Sequence, residues 1–383
     1  MTNPLQVTIA GNPTGVLLKE GREFIFNYSD QAAQEHFISL TMPVRAKGYV
    51  HPQMHPIFEM NLPEGYLLAV IKKHFSKLVP TDDLGLLHLL APAVEGRVCY
   101  RQDAIVDQPP LALDVLLHPQ SDALFSELVE RFALRSAVSG VQPKVLAQLQ
   151  DKATLKLGHY IVKAWGEDYP QLALNEYYCM QAFKLAGIDV PQFYLSDDDR
   201  LFIMKRFDIE EDGTTLGFED MCVLQARQRD DKYLGSYEQI AKSIKIFASP
   251  AHKIESLQQL FKMIVLNMHL QNGDAHLKNF GLIYQDIGTV RLAPAYDIVS
   301  TTCYINNDTA ALTLLGSKKW WGHSGLIRFG IESCELTRKQ AEIAYQQCKE
   351  ALFQVDQQLQ QRLQKEVVKE KRSVLEHLSG LIS

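Results

Sequence analysis

The segment Asn272-Gly273-Asp274-Ala275-His276-Leu277-Lys278-Asn279-Phe280 packs a carboxylate, an imidazole, an ammonium and an amide into one short loop. Phosphoryl transfer needs an aspartate to orient the attacking hydroxyl and oxygen ligands to hold Mg²⁺ on the nucleotide phosphates. Asp274 and Asn279, at Asp-x₄-Asn spacing, supply the first carboxylate and one such ligand. The spacing alone is weak, because composition produces it about once in a chain of this size. A turn with Asx hydrogen bonding is the plain alternative.

The surroundings add to it. Asp297, in Ala295-Tyr296-Asp297, follows two strand-like runs, Gly281 to Tyr284 and Thr289 to Leu292. A hairpin of those runs returns Asp297 to Asn279 as a second metal ligand. Upstream, Lys163 ends the strand-like Tyr160-Ile161-Val162-Lys163, and Glu176 lies on the helix-like run that follows. This is the order that pairs a lysine with the α/β-phosphates and with a helix carboxylate. Taken singly, each reads as well as a snorkelling lysine and a solvated helix face. Lys205-Arg206-Phe207-Asp208 sits where a hinge between lobes presents backbone groups to adenine. Ser139-Gly140-Val141-Gln142-Pro143-Lys144 is a small-residue loop whose N–H groups can meet phosphate oxygens, although it is neither a Walker A nor a G-x-G-x-x-G sequence. The order of these weak signals points to an ATP- and Mg²⁺-dependent phosphotransferase.

These residues need a scaffold, and the patterning predicts one of α+β class. Leu5, Val7 and Ile9 alternate, and turns at Gly11–Gly15 and Glu20-Gly21-Arg22 separate them from Val16-Leu17-Leu18 and Phe24-Ile25-Phe26, giving a meander. Leu67, Val70, Ile71 and Phe75 have near-helical spacing, Leu84 to Leu90 is a further apolar segment, and Leu124 to Phe132 reads as a short helix. Val145-Leu146-Ala147 reads as a strand, Asn175 to Leu185 as a helix, and Phe193–Leu195 with Leu201–Met204 as a hairpin. Beyond Tyr237 the chain reads as mostly helical except around 274–300. Its tail opens on a Thr337-x-x-Gln340 capping box, followed by apolar positions from Tyr345 to Leu363 at three- and four-residue steps. Three units follow: an N-terminal subdomain over 1–105, a nucleotide-binding lobe over 120–208, and a helical catalytic lobe over 209–383.

The bulk numbers exclude some functions. With 383 residues and a formal net charge of −6, the chain has length for two or three domains but no positive field to draw it onto nucleic acid. Its most apolar stretch, Leu84 to Val94, is far shorter than the ~20 residues of a membrane span. The start lacks the basic and apolar regions of a signal peptide, and six scattered cysteines without a C-x-x-C pair read as reduced thiols. A cytoplasmic protein without membrane contact is expected. His51-x₃-His55 has zinc-like spacing but no third ligand nearby. Trp320-Trp321 reads as a packing or partner contact, and His269 as a core histidine.

At its motifs the chain resembles the HipA family of bacterial serine/threonine kinases, the toxin halves of toxin–antitoxin pairs. The resemblance runs through Ser139–Lys144, Asn175-Glu176-Tyr177-Tyr178-Cys179, Lys205–Asp208, Glu219-Asp220-Met221-Cys222, Gly273–Phe280 and Tyr296-Asp297, and covers about residues 5–330. It implies a two-lobed protein-kinase-like fold preceded by a β-meander/helix subdomain. It also implies Asp274 as catalytic aspartate, Asn279 and Asp297 as Mg²⁺ ligands and Lys163 on the phosphates. Ser139, Gly140, Val141 and Gln142 then form the phosphate loop, His276 lies near the nucleotide, and Lys205 and Phe207 line the adenine hinge. The family's autophosphorylated serine position holds Ala137 here, which leaves Ser139 as the expected site and Ser136 as the fallback. The implied partners are a HipB-like helix-turn-helix antitoxin, through which alone DNA is met, and a protein substrate, an aminoacyl-tRNA synthetase. Two rivals remain: a small-molecule kinase built on a similar Asp-x₄-Asn loop, and a pseudokinase that only binds partners.

Overall fold

The computed structural model describes residues 4–62, 82–91, 94, 96–101, 112–120, 124, 128, 153–157, 159–165 and 168–382. The expected helix around Leu67–Phe75, the strand at Val145–Ala147 and the whole Ser136–Lys144 loop lie outside them.

The alternating start forms β1 (Leu5–Ile9), which pairs antiparallel with β2 (Asn12–Glu20) in a register that sets Leu5 opposite Leu17. Ala10 and Gly11, both at positive φ, make the tight turn between them. β2 continues to β3 (Glu23–Tyr28) through Gly21, and β3 meets β4 (Tyr49–His51). β5 (Val98–Arg101) closes the other edge against β1, so the five-stranded order is β4-β3-β2-β1-β5. The short α1 (Pro56–Glu59) and α2 (Asp83–Leu90) lie on the inner face, where Phe58, Leu84, Leu86 and Leu87 are fully buried. α2 starts where Asp82 accepts from the Gly85 N–H at 2.9 Å, an N-cap that the apolar run alone does not disclose. The short α3 (Leu113–Leu117) follows. Leu124 and Leu128 are helical and buried, in keeping with the expected helix there.

β6 (Ala153–Leu157), β7 (Tyr160–Ala164), β8 (Phe193–Leu195) and β9 (Leu201–Lys205) form an antiparallel sheet in the order β6-β7-β9-β8. α4 (Leu172–Leu185) packs beside it and starts slightly earlier than its apolar pattern predicts. Val162, Leu201 and Ile203 point into the core of the N-terminal sheet, so the two units share buried surface. β10 (Gly217–Asp220), β11 (Gly281–Tyr284) and β12 (Arg291–Leu292) form a small third sheet that brackets the short α5 (Met221–Leu224) and the Asp274 loop.

α6 (Tyr237–Phe247), α7 (Lys253–His269), α8 (His323–Glu332), α9 (Arg338–Leu363) and α10 (Lys369–Ile382) build the second lobe. The capping box forms as expected: Thr337 and Gln340 exchange hydrogen bonds at the start of α9. Residues 293–322 contain only one 3₁₀ turn, a longer non-helical stretch than the sequence pattern suggests. Their apolar residues, including Ala310, Leu312 and Leu314, are nevertheless buried, held by tertiary contacts rather than by a repeating face. Asp199, at φ 64 in the β8–β9 turn, accepts from Arg362 at 2.7 Å and from Lys371, so the C-terminal helices strap the first lobe to the second.

Cys179, Cys303, Cys334 and Cys348 carry thiols that form no disulfide, and all but Cys303 are buried. His269 bonds Tyr345 at 3.1 Å inside the helical core, and the Trp320 indole donates to the Asp308 carbonyl. Trp321 packs against Gly325, where an added Cβ would meet its ring at 2.3 Å. His51 and His55 lie ring to ring at 5.2 Å, but no metal-ligand cluster exists among the described residues.

His55 has a structural task. Its Nδ1 accepts from the Ile57 N–H at 3.2 Å at the start of α1, and burial, then His51, push its pKa down to about 3. The unfolded chain takes up a proton near pH 6.5 and the folded chain does not. The contribution is therefore complete above pH 6.5 and is lost progressively as pH falls toward 3. His55→Asn keeps a capping acceptor and removes the titration. Between pH 8 and pH 5 the wild type should lose about 2 kcal/mol more than this variant, read from urea midpoints. Equal pH dependence of the two chains would contradict the assignment.

Candidate active site

Lys163 sits on β7 opposite Phe202 of β9, and its ammonium leaves the sheet toward α4. There it donates to Glu176 Oε1 at 2.5 Å and to Asp297 Oδ1 at 2.7 Å. Burial alone would push this ammonium toward neutrality, but the Asp297 and Glu176 carboxylates outweigh it and raise its pKa above the ordinary lysine value. One cation thus joins a helix carboxylate of the first lobe to the far end of the β11–β12 hairpin.

Asp297 is held at φ 60, a left-handed conformation that non-glycine residues rarely adopt and that recurs at functional sites. Its second oxygen, Oδ2, accepts from the Asn279 amide at 2.7 Å. Asn279 Oδ1 in turn accepts from the His276 N–H at 3.0 Å, fixing the loop between Asp274 and Asn279. Tyr296 adds a brace: its hydroxyl donates to the Lys278 carbonyl at 2.6 Å, and its ring meets Phe207 at 5.4 Å. Phe207 therefore connects to the site through Tyr296. Lys205 ends β9, with its ammonium 3.9 Å from Glu211.

The Asp274 loop is fixed from behind. Asn272 bonds Asn267 of α7 at 2.8 Å, and its Oδ1 accepts from the Asp274 N–H at 3.1 Å. Gly273 donates to Thr301 Oγ1 at 2.8 Å, and a Cβ there would lie 2.0 Å from Asp308 Oδ2. A larger residue there would have to displace the Asp308 carboxylate and the Thr301 hydroxyl. His276 is buried beside Asp274, with Nε2 3.7 Å from Oδ1. Lys278 lies 3.7 Å from Asp220, which also caps α5.

The structure thus brings Lys163, Glu176, Asn279 and Asp297 into one bonded cluster and places Asp274 and His276 on the adjoining loop. Ser139, Gly140, Val141 and Gln142 fall outside the described residues. Tyr233 was not anticipated: its hydroxyl donates to Asp274 Oδ1 at 2.5 Å, from a segment that reads as plain connection. A narrow cleft beside the cluster is lined by Lys163, Ala164, Leu172, Ala173, Glu176, Asp297 and Val299. The Glu176 and Asp297 carboxylates line it, with the Asn279 amide on the far oxygen of Asp297, and such hard oxygen donors suit a divalent cation. The Lys163 ammonium and the Asn279 amide lie on both oxygens of Asp297, so positive charge already resides where such a cation would bind.

Comparison with known proteins agrees with this geometry. Residues 136–362 match the HipA-like C-terminal domain and residues 5–101 the HipA N-terminal domain. The chain belongs to the HipA-like family, and its two-lobed α+β fold is that of a kinase. "Putative kinase Y4dM" of Sinorhizobium fredii is 30% identical over 352 residues, covering 82% of this chain and 81% of that protein. A Haemophilus influenzae protein named "Putative kinase" is 31% identical over 203 residues, covering 48% of this chain and 59% of that one. The structure of HipA of Shewanella oneidensis MR-1, solved with HipB and operator DNA, superposes with a TM-score of 0.74 at 15% identity, over 99% of this chain and 95% of that one. At that identity the likeness speaks for the fold. No helix among the described residues is long and apolar enough to cross a membrane.

Proposed function

We propose that the chain is a serine/threonine protein kinase that transfers the γ-phosphoryl group of ATP with Mg²⁺, and that it acts as the toxin of a toxin–antitoxin pair. The observation that carries this reading is the Lys163 bridge, 2.5 Å from Glu176 and 2.7 Å from Asp297, with Asn279 on the other Asp297 oxygen. A bound Mg²⁺ would neutralise phosphate charge between nucleotide and protein. Asn279 and Asp297 would hold it, giving up their mutual hydrogen bond. Lys163, kept charged by its two carboxylates, would turn toward the phosphates. Asp274 would receive the acceptor hydroxyl and, being a weak base, take its proton late, as the new bond forms. Ser139, Gly140, Val141 and Gln142 would cover the phosphates, and Lys205 and Phe207 would border the adenine.

Three finer readings follow from the family. Ser139 is the proposed autophosphorylation site, with Ser136 as the second choice. A phosphate there adds about −1.5 to −2 charge to a loop meant for ATP phosphates and would weaken ATP binding. The proposed partner is a HipB-like helix-turn-helix protein, as HipA of Shewanella oneidensis was solved with HipB and operator DNA. A chain of net charge −6 needs such a basic partner to reach DNA. The proposed substrate is an aminoacyl-tRNA synthetase, whose nucleotide-binding loops carry serines and threonines where a phosphate would repel ATP.

The test is incubation of the purified chain with γ-labelled ATP, Mg²⁺ and a bacterial lysate. Label is expected on protein serine or threonine, lost with EDTA and restored by Mg²⁺. Label confined to small metabolites would favour a small-molecule kinase. Absence of ATP turnover would leave a partner-binding pseudokinase.

A further inference from the structure

Asp274 already has a hydroxyl on it. The Tyr233 phenol donates to Asp274 Oδ1 at 2.5 Å, which is the bond the acceptor's hydroxyl makes in the reaction proposed above. The tyrosine ring packs edge-to-face with His276, centroids 4.9 Å apart at 80°, so it is held against the same loop at two points. We propose that Tyr233 is an internal occupant of the acceptor position, which shields the transferable phosphoryl group from water until an acceptor displaces it.

The backbone around Tyr233 is fixed, so the side chain is the moving part. The Leu277 N–H of the catalytic loop donates to the Lys232 carbonyl at 3.0 Å. The Leu234 N–H donates to Asp231 at 2.8 Å, and the Gly235 carbonyl accepts from Thr313 Oγ1 at 3.1 Å. Lys318 donates to the Tyr233 carbonyl at 3.3 Å. The residue itself is 40% exposed, and a χ1 rotation carries its ring into solvent without disturbing these bonds. The bond to Asp274, the contact with His276 and the Lys232 ammonium over the ring at 5.5 Å are among what must be given up. An acceptor hydroxyl that takes over the bond to Asp274 recovers the first of them. Water offers the same hydrogen bond but no further binding surface, and is therefore disfavoured. Tyr233 in this role is a specificity-determining residue: it selects acceptors that bring binding energy from elsewhere.

The proposal rests on the phosphotransferase reading, and its test separates the two. In the unwanted reaction a water oxygen bonds to the γ-phosphorus, the bond to the β-phosphate oxygen breaks, and the water proton goes to Asp274. Release of inorganic phosphate from Mg-ATP is measured for the full chain without acceptor, in wild type, Tyr233→Phe and Tyr233→Ala. Hydrolysis in Tyr233→Ala is expected to rise about tenfold with the KM for ATP little changed. Tyr233→Phe should rise less, because the ring still obstructs. The increment should vanish when Asp274→Ala is added to Tyr233→Ala. Unchanged or slower hydrolysis in Tyr233→Ala, with a wild-type melting temperature, overturns the proposal, since a merely supporting tyrosine can only slow the reaction when removed. ATP neither bound nor turned over by the wild type would overturn the phosphotransferase reading and this one with it.

Discussion

Asp274→Ala is expected to lower phosphoryl transfer by about 10²–10⁴-fold, the usual range for a lost positioned base, while the chain stays folded. The carboxylate is partly exposed, and the backbone of its loop is held by other side chains. Asn272, Gly273 and Asn279 hold the loop through Asn267, Thr301 and the His276 N–H. The change frees the Tyr233 hydroxyl, which is partly exposed and can turn to water. Thermal melting should therefore shift little, by less than about 1 kcal/mol in stability. Transfer of label from γ-labelled ATP, measured beside the melting curve, checks both halves. Near-normal transfer by a folded Asp274→Ala chain would remove the aspartate from its assigned role.

The second large effect concerns stability. Glu219 is fully buried at the start of the second lobe and serves three donors from two different units. Ser39 Oγ reaches it at 2.7 Å, the Leu40 N–H at 2.7 Å and the Tyr284 hydroxyl at 2.6 Å. Burial pushes its pKa up, while the bonds from Tyr284, Ser39 and Leu40 pull against that rise. Arg97 lies over the Phe37 and Tyr284 rings close by and donates to the Phe37 carbonyl at 2.7 Å. Glu219→Ala removes the acceptor and strands its donors, at a cost of about 3–5 kcal/mol. The N-terminal sheet should become more open to protease before the helical lobe does. A loss below about 1 kcal/mol would show that this carboxylate is not the joint between the units.

The candidate site residues were legible because each is defined by type and local spacing. Asp274 and Asn279 share one loop, Asp297 ends a hairpin, and Lys163 and Glu176 sit on consecutive elements. The structure binds four of these five into a single hydrogen-bonded cluster and sets Asp274 next to it. The β-meander was equally readable, since two-residue alternation with glycine turns has few other solutions. Glu219 stood among the family motifs, but its partner Ser39 comes from far earlier in the chain, and no periodicity links such positions. Tyr233 was invisible for a related reason: nothing local marks a tyrosine whose ring returns over a loop some forty residues later. The irregular stretch 293–322 was read as shorter than it is because its buried residues follow neither a helical nor a strand period.

The central claim is that Lys163, Asn279 and Asp297 form a Mg-nucleotide site with Asp274 facing the transferred group. A crystal structure of the chain with Mg²⁺ and a non-hydrolysable ATP analogue tests this most directly. The account predicts a metal ligated by Asn279 and Asp297, phosphates against Lys163, and the terminal phosphate facing Asp274. Nucleotide bound elsewhere, or a metal without Asp297 among its ligands, would contradict it.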